Sequence, residues 1–470
     1  MRINYKILAI IFFSLGVFLR VLLCMLNPPH NAFDDHFEPI SLIMKYGNLP
    51  AKNACWECFQ PPVFYAVSAI VGNMSINMGA NQTQMKKILQ LTCCFYGILT
   101  IAIIYLILNK LYLSDFSKII AFGFTCFLPR HIYMSAMLSN DTISYLFVAI
   151  CIYILLITIE RNFSLGSLVL LSLTMTITIF TKYNSLIVIP MVLTVFILAF
   201  FNFSTVEKKK KVILFCLTLF VPLSLIGGYM AGNIKNYGKA LPGNYEIFKN
   251  LSASQPRDEG GISFFNFKPW ESIATPILVP GKLNSFWTLI YSGMWFDTEP
   301  KFLYFMDSNI AWWRHYYRWI KGEDKFPKNQ HSISQITLLE GSVLITLGLF
   351  PLILAIIGGY YYIKQLRDFS NSNWIKLTKL SIFPALLISN AAGIIAITLK
   401  LPVFSTMKSS YFLNSMPAFA VFIGNGVMAC EKRTILKWAV IIIFGVLFTV
   451  VCWHILHICS LLYEKWNISR

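Results

Sequence analysis

Runs of about twenty apolar residues recur along this chain, and that recurrence leaves few folds open. A run of that length crosses the ~30 Å hydrocarbon core of a bilayer as one helix. Backbone groups in lipid must be hydrogen-bonded internally, so a chain with many such runs folds as a helical bundle. The candidate spans are roughly 7–26, 88–108, 119–137, 142–159, 164–181, 185–203, 212–231, 336–362, 380–399, 409–429 and 435–460. Composition agrees: of 470 residues, 56% are hydrophobic and only 13% charged, with mean hydropathy +0.63. The fold class is all-α: a polytopic membrane bundle of about eleven transmembrane helices, read as a single domain over residues 1–470.

The net charge is +18. It does not point to nucleic acid. Much of it sits in short loops between apolar runs, where it sets topology, and the remainder suits anionic lipid headgroups. The first run, ILAIIFFSLGVFLRVLLCML, resembles a signal peptide only at its start. It is long, contains Arg20 and lacks a small-x-small cleavage site, so it is read as an uncleaved first helix with a cytoplasmic N-terminus.

Charge also decides the ambiguous stretch PPVFYAVSAIVGNMSINMGA (61–80). If it does not span, the loops 1–6, 109–118, 160–163, 204–211, 363–379 and 430–437 are all cytoplasmic. They carry Lys208 to Lys211, Lys364, Arg367, Lys376, Lys379, Lys432, Arg433 and Lys437. That obeys the positive-inside rule, whereas a span at 61–80 would put the four-lysine run outside. The stretch is therefore read as a juxtamembrane helix. Two large non-cytoplasmic regions follow, a first external loop at 27–87 and a second at 232–335, and function is expected on that face.

Asp34 and Asp35, in FDDHFEPI (33–40), lie just past the first span, at the expected external surface. Neighbouring carboxylates in a partly dry site raise each other's proton affinity, which fits one of them for general-base work near neutral pH. A solvated pair in a polar loop is the alternative. Asp141 could cap a helix, as Asn and Asp commonly do, or serve the same site. Basic residues near this face are Arg20, Arg130, His131, Lys182, Lys400 and Lys408. Several cations around a few carboxylates suit an anionic headgroup such as a phosphate, and charge at membrane depth is costly unless paired or functional. Snorkelling accounts for Lys400. Arg20, inside its span, is expected to pair with a carboxylate or a lipid phosphate.

Cys55-x-x-Cys58 falls outside the membrane, where disulfides persist. A local disulfide or plain loop packing fits it better than zinc or thioredoxin-like chemistry. FWTLIYSGMWFD (286–297) and WWRHYYRW (312–319) suit sugar stacking or an interfacial aromatic belt. There is no phosphate-binding glycine loop, no His-Glu-x-x-His and no cytoplasmic domain for a nucleotide donor.

FLR (18–20), FDDHF (33–37), KYGNLP (45–50) and QPPVFY (60–65) occur in that order. They resemble the opening of GT-C class membrane glycosyltransferases, the group of the protein O-mannosyltransferases and the lipid A aminoarabinose transferases. LPRHIYMSAMLSND (128–141), FTKYNSLIVIP (180–190), NIKNYGKALPGN (233–244) and MKSSYFLNSMPAF (407–419) continue the pattern. The resemblance covers roughly residues 18 to 420. It implies a polyprenyl- or dolichyl-phosphate-linked sugar donor, a protein, lipid or glycan acceptor, and single displacement with inversion. Asp34 would be the catalytic base, Asp35 would position the acceptor or tune Asp34, and Asp141 would be the second acid. Lys182 and Lys408 would bind the donor phosphate, with Arg20 in support. Two departures stand out: the second acid is Asp rather than Glu, and Lys408 replaces the usual Arg. The resemblance implies no cofactor and leaves room for a divalent metal. It places the protein in a bacterial inner membrane or the endoplasmic reticulum, with its site facing periplasm or lumen. The rival reading from another class is a transporter or lipid flippase, for which internal repeats would be expected; none is evident.

Overall fold

The computed structural model describes residues 4–29, 36–202, 205–247, 261–274, 283–298, 335–367 and 374–468. Asp34, Asp35 and the 312–319 segment lie outside the described residues. The regular structure of the described chain is helical, apart from a two-stranded parallel bridge, β1 (Ile262–Ser263) with β2 (Asn284–Ser285).

The N-terminal half contains α1 (Tyr5–Leu26), α2 (Phe37–Tyr46), α3 (Val63–Asn77), α4 (Gln82–Asn109), α5 (Asp115–Cys126), α6 (Pro129–Ser135), α7 (Asn140–Glu160), α8 (Leu165–Ile179), α9 (Val188–Asn202) and α10 (Thr205–Tyr237). Two short helices, α11 (Asn244–Ile247) and α12 (Glu271–Ala274), precede α13 (Phe286–Trp295). The chain then forms α14 (Gln335–Arg367), α15 (Trp374–Lys400), α16 (Met416–Cys430) and α17 (Thr434–Ile468). Turns of 3-10 helix at Tyr183–Ile187 and Ser409–Ser415 lead into α9 and α16.

Among the described residues nine helical segments are long and apolar enough to cross a membrane. That count goes by length and composition and does not confirm the expected eleven; two of the expected runs form shorter helices. The run expected at 119–137 is broken, because Pro129 cannot donate to a helix arriving from α5 and instead opens α6. The run at 164–181 becomes α8, of 15 residues, which still runs back along α7 and returns the chain to the Asp141 end, where Lys182 meets that carboxylate. At 1.5 Å per residue the 15 residues of α3 reach only about 22 Å, short of the hydrocarbon core.

Sequence motifs become helix ends. KYGNLP closes α2: Gly47 sits at φ 70° and donates to the Ile43 carbonyl, a left-handed cap that glycine adopts without a Cβ clash. NIKNYGKALPGN closes α10: the Asn233 amide donates to the Ala240 carbonyl at 2.9 Å, and Gly238 takes φ 72°.

The innermost segments are α7 and the Ser409–Cys430 run, with 78% and 83% of their most apolar stretch buried; for α10 the share is 22%. The core is a continuous apolar cluster that takes in α1, α4 to α9 and the C-terminal helices. α14 and α16 meet backbone to backbone. A Cβ at Gly358 would strike the Phe422 carbonyl, and one at Gly426 the Leu354 carbonyl. Small residues at such a crossing are how helices pack in lipid, where no hydrophobic force drives them together.

Candidate active site

Ser139 starts α7. Its hydroxyl accepts the Asp141 N–H at 3.2 Å, so Ser139 is the N-cap. Asp141 therefore does not cap the helix, and its carboxylate is available for other partners in the first turn, where the helix dipole favours a negative charge. Both oxygens are engaged. Lys182 Nζ donates to Oδ1 at 2.6 Å, and Ser139 Oγ donates to Oδ2 at 3.1 Å. The pair is nearly dry, with side-chain exposures of 7% for Lys182 and 10% for Asp141. Opposite charges at this distance and depth stabilise one another, and each alone would be costly.

Lys182 lies in the extended link between α8 and the Tyr183–Ile187 turn. Its ammonium also stands 5.2 Å above the Tyr411 ring. Tyr411 belongs to the Ser409–Ser415 turn, which Lys408 immediately precedes. Lys408 is close enough to act on the Asp141 charge, as is His36. Three contacts dock this turn and the Lys182 segment onto α7. The Tyr145 hydroxyl donates to the Ser410 carbonyl at 2.8 Å, Ser144 Oγ donates to Asn414 Oδ1 at 3.0 Å, and Ser144 also meets Ser185 at 2.7 Å.

A second branch runs to the residue after the acidic pair. His36 Nε2 stands 3.4 Å from Ser139 Oγ, and its Nδ1 meets the Tyr65 hydroxyl at 2.9 Å. Tyr65 is the last residue of QPPVFY. Motifs far apart in the chain thus converge through side chains on one carboxylate, at the start of the buried helix α7.

No family model and no curated protein sequence matches the chain. Solved structures do. The oligosaccharyltransferase of Archaeoglobus fulgidus, in its apo form, is similar over 97% of this chain and 56% of its own, with a TM-score of 0.52 at 11% identity. The chain has a GT-C fold. It spans about half the length of that archaeal enzyme. ArnT from Cupriavidus metallidurans is similar over 89% of this chain and 76% of its own, with a TM-score of 0.39 at 13% identity. A further structure of that ArnT, bound to undecaprenyl phosphate, is similar with a TM-score of 0.37 at 14% identity.

Within this GT-C fold Asp141, Lys182 and Lys408 come together. Arg20 and its neighbours do something else. The Arg20 guanidinium is fully buried and donates to the carbonyls of Gly16 and Cys126, both at 2.8 Å, and of Thr125 at 3.3 Å. It also reaches His131 Nδ1 at 2.7 Å. Arginine cannot accept, so Nδ1 is the acceptor there and the proton sits on Nε2. Arg20 thus satisfies carbonyls around the α5–α6 break, in place of the carboxylate or phosphate expected for it. Arg130 Nε donates to the Gly293 carbonyl at 2.7 Å, joining α6 to α13. Lys400 is exposed at the end of α15.

His36, Ser139 and Tyr411 join the candidate site, where sequence reasoning puts none of them. Each lies within or beside a quoted motif. The signal was motif proximity; the residue types alone do not announce it. Cys55 and Cys58 are joined as a disulfide. Among the described residues no three His, Cys, Asp or Glu side chains stand together as metal ligands. The Asp141 oxygens already hold Lys182 and Ser139, so this donor set does not fit a metal.

Proposed function

We propose that the protein transfers a sugar from a polyprenyl- or dolichyl-phosphate carrier to an acceptor at the non-cytoplasmic membrane surface, with inversion. The observation that carries this reading is the buried Asp141–Lys182 pair with Lys408 beside it. Two lysines around that one carboxylate leave a local excess of positive charge in a water-poor site. An anionic phosphate ester satisfies it.

In this reading Lys182 and Lys408 hold the donor phosphate. The acceptor heteroatom attacks the anomeric carbon as the bond from that carbon to the phosphate oxygen breaks. The bonding pair leaves on the phosphate, where the lysines stabilise the developing charge. Asp34 takes the acceptor proton, and Asp35 positions the acceptor. Asp141 keeps Lys182 charged and aimed. No step needs a nucleotide or a metal. The chain's resemblance to the aminoarabinose and mannosyl branches supports this.

Lipids that co-purify with the protein in mild detergent test the reading by mass spectrometry. A polyprenyl phosphate or its glycosylated form is expected with the wild type and absent from a Lys182→Ala/Lys408→Ala variant. Bulk phospholipid alone, unchanged in the variant, would remove the donor site and favour a flippase.

A further inference from the structure

The loop between α2 and α3 carries Lys52, a residue outside the resemblance motifs. Its side chain is buried, at 8% exposure. Its ammonium makes three hydrogen bonds: to the Phe59 carbonyl at 2.8 Å, the Tyr183 hydroxyl at 3.2 Å and the Tyr229 hydroxyl at 2.5 Å. It also stands 4.5 Å from the centre of the Tyr229 ring. No described carboxylate pairs with it. A buried lysine held only by neutral acceptors is costly, and burial lowers its pKa to about 8.

The other contacts of this loop say what that cost secures. Tyr183 follows Lys182 directly, and its hydroxyl donates to the Phe59 carbonyl at 3.1 Å. On the other flank of Lys182, the Phe180 carbonyl accepts the Val63 N–H at 3.1 Å. The Lys52 N–H donates to the Tyr237 hydroxyl at 3.1 Å, tying the loop to the end of α10. The Cys55–Cys58 disulfide closes the loop between Lys52 and Phe59. The segment bearing Lys182 is therefore bolted to the first loop on both sides, and Lys52 is the bolt shared with α10.

We propose that Lys52 is a positioning residue. It fixes Tyr183, and through it Lys182, so that the cation facing Asp141 meets a lipid phosphate at the right place. This rests on the donor-site reading above. It differs from a plain packing role because the bolt is a charge. The groups facing that charge are Tyr183 of the 3-10 turn, Tyr229 of α10, and the Phe59 carbonyl of its own loop; Tyr237 of α10 meets only the Lys52 backbone N–H. Raising the pH through about 8 removes the charge and one donated hydrogen.

The test is binding of added undecaprenyl phosphate to the full chain in detergent, measured from pH 6.5 to 9 for wild type, Lys52→Met, Tyr183→Phe and Lys182→Ala. Monodispersity and an intact disulfide are checked for each. Lys52→Met is expected to weaken binding about tenfold at pH 7, the equivalent of one charge-assisted hydrogen bond. Tyr183→Phe should weaken it less. Wild-type affinity should fall as the pH passes about 8, and the Lys52→Met curve should be flat there. If Lys182→Ala abolishes binding while Lys52→Met binds as wild type at every pH, the positioning role is overturned and the donor site stands. If Lys52→Met is weak but keeps the wild-type pH step, Lys52 is packing only and the proposal fails. If the wild type binds no probe, the donor-site reading fails and takes this one with it.

Discussion

Asp141 and Lys182 each make the other tolerable, and this gives the pair a testable signature. Removing one partner of a buried ion pair typically costs about 3–5 kcal/mol, because the other charge is left alone in a dry site. Lys182→Met and Asp141→Asn should therefore each lower thermal stability clearly. The double variant should be more stable than the sum of the two losses predicts, since neither charge remains to be buried. All three should lose phosphate binding. Purely additive melting shifts would mean that the carboxylate and ammonium do not interact in the folded protein. The residues of this pair were legible in the sequence because each sits inside a quoted motif. Lys52, outside every quoted motif, was not, and His36, though inside one, carried no sign of its partner. His36 finds Ser139 across 103 residues, and Lys52 finds Tyr183 and Tyr229 across 131 and 177. A lysine in a polar loop looks solvated until the fold brings three acceptors to it.

Between the described elements, α14 and α16 approach backbone to backbone. Both glycines at the crossing face backbone, and backbone has nowhere to go. Gly426→Leu and Gly358→Leu should each separate the helices and unseat the Ser409–Ser415 turn that leads into α16. Overpacking of this kind costs about 1–3 kcal/mol or more. The expected readout is a lower melting temperature together with weaker phosphate binding. Gly228→Leu should be mild by contrast, because its Cβ would meet open space. Equal effects at Gly426 and Gly228 would show that α14 and α16 do not cross there. The apolar runs were legible as helices, since their length and composition allow little else. The break at Pro129 was also written in the chain, but a hydropathy window averages across one proline. The crossing glycines were invisible, because sequence spacing does not say which helices meet.

Across the whole molecule, α10 acts as a ruler. Its 33 residues extend about 50 Å, more than the hydrocarbon core. Lys208 to Lys211 lie at its start, and Tyr237, which holds the Lys52 loop, lies at its end. If α10 spans, the lysine run and the candidate site are on opposite sides of the membrane, whichever way the protein faces. The positive-inside rule then gives the lysines to the cytoplasm and the site to the other face. Single cysteines at two exposed positions, Lys209→Cys and Asn53→Cys, in a Cys216→Ser background, test this directly. A membrane-impermeant maleimide applied to intact cells or sealed, right-side-out vesicles should label Asn53→Cys at once and Lys209→Cys only after permeabilisation. The reverse pattern would place the Asp141–Lys182 pair on the cytoplasmic side, within reach of soluble nucleotide sugars, and the case for a lipid-linked donor would lose its main support. Labelling of both positions without permeabilisation would mean that α10 does not cross. The first external loop would then have to reach Tyr183 from the lysine side, against the contacts that Lys52 and Tyr237 make.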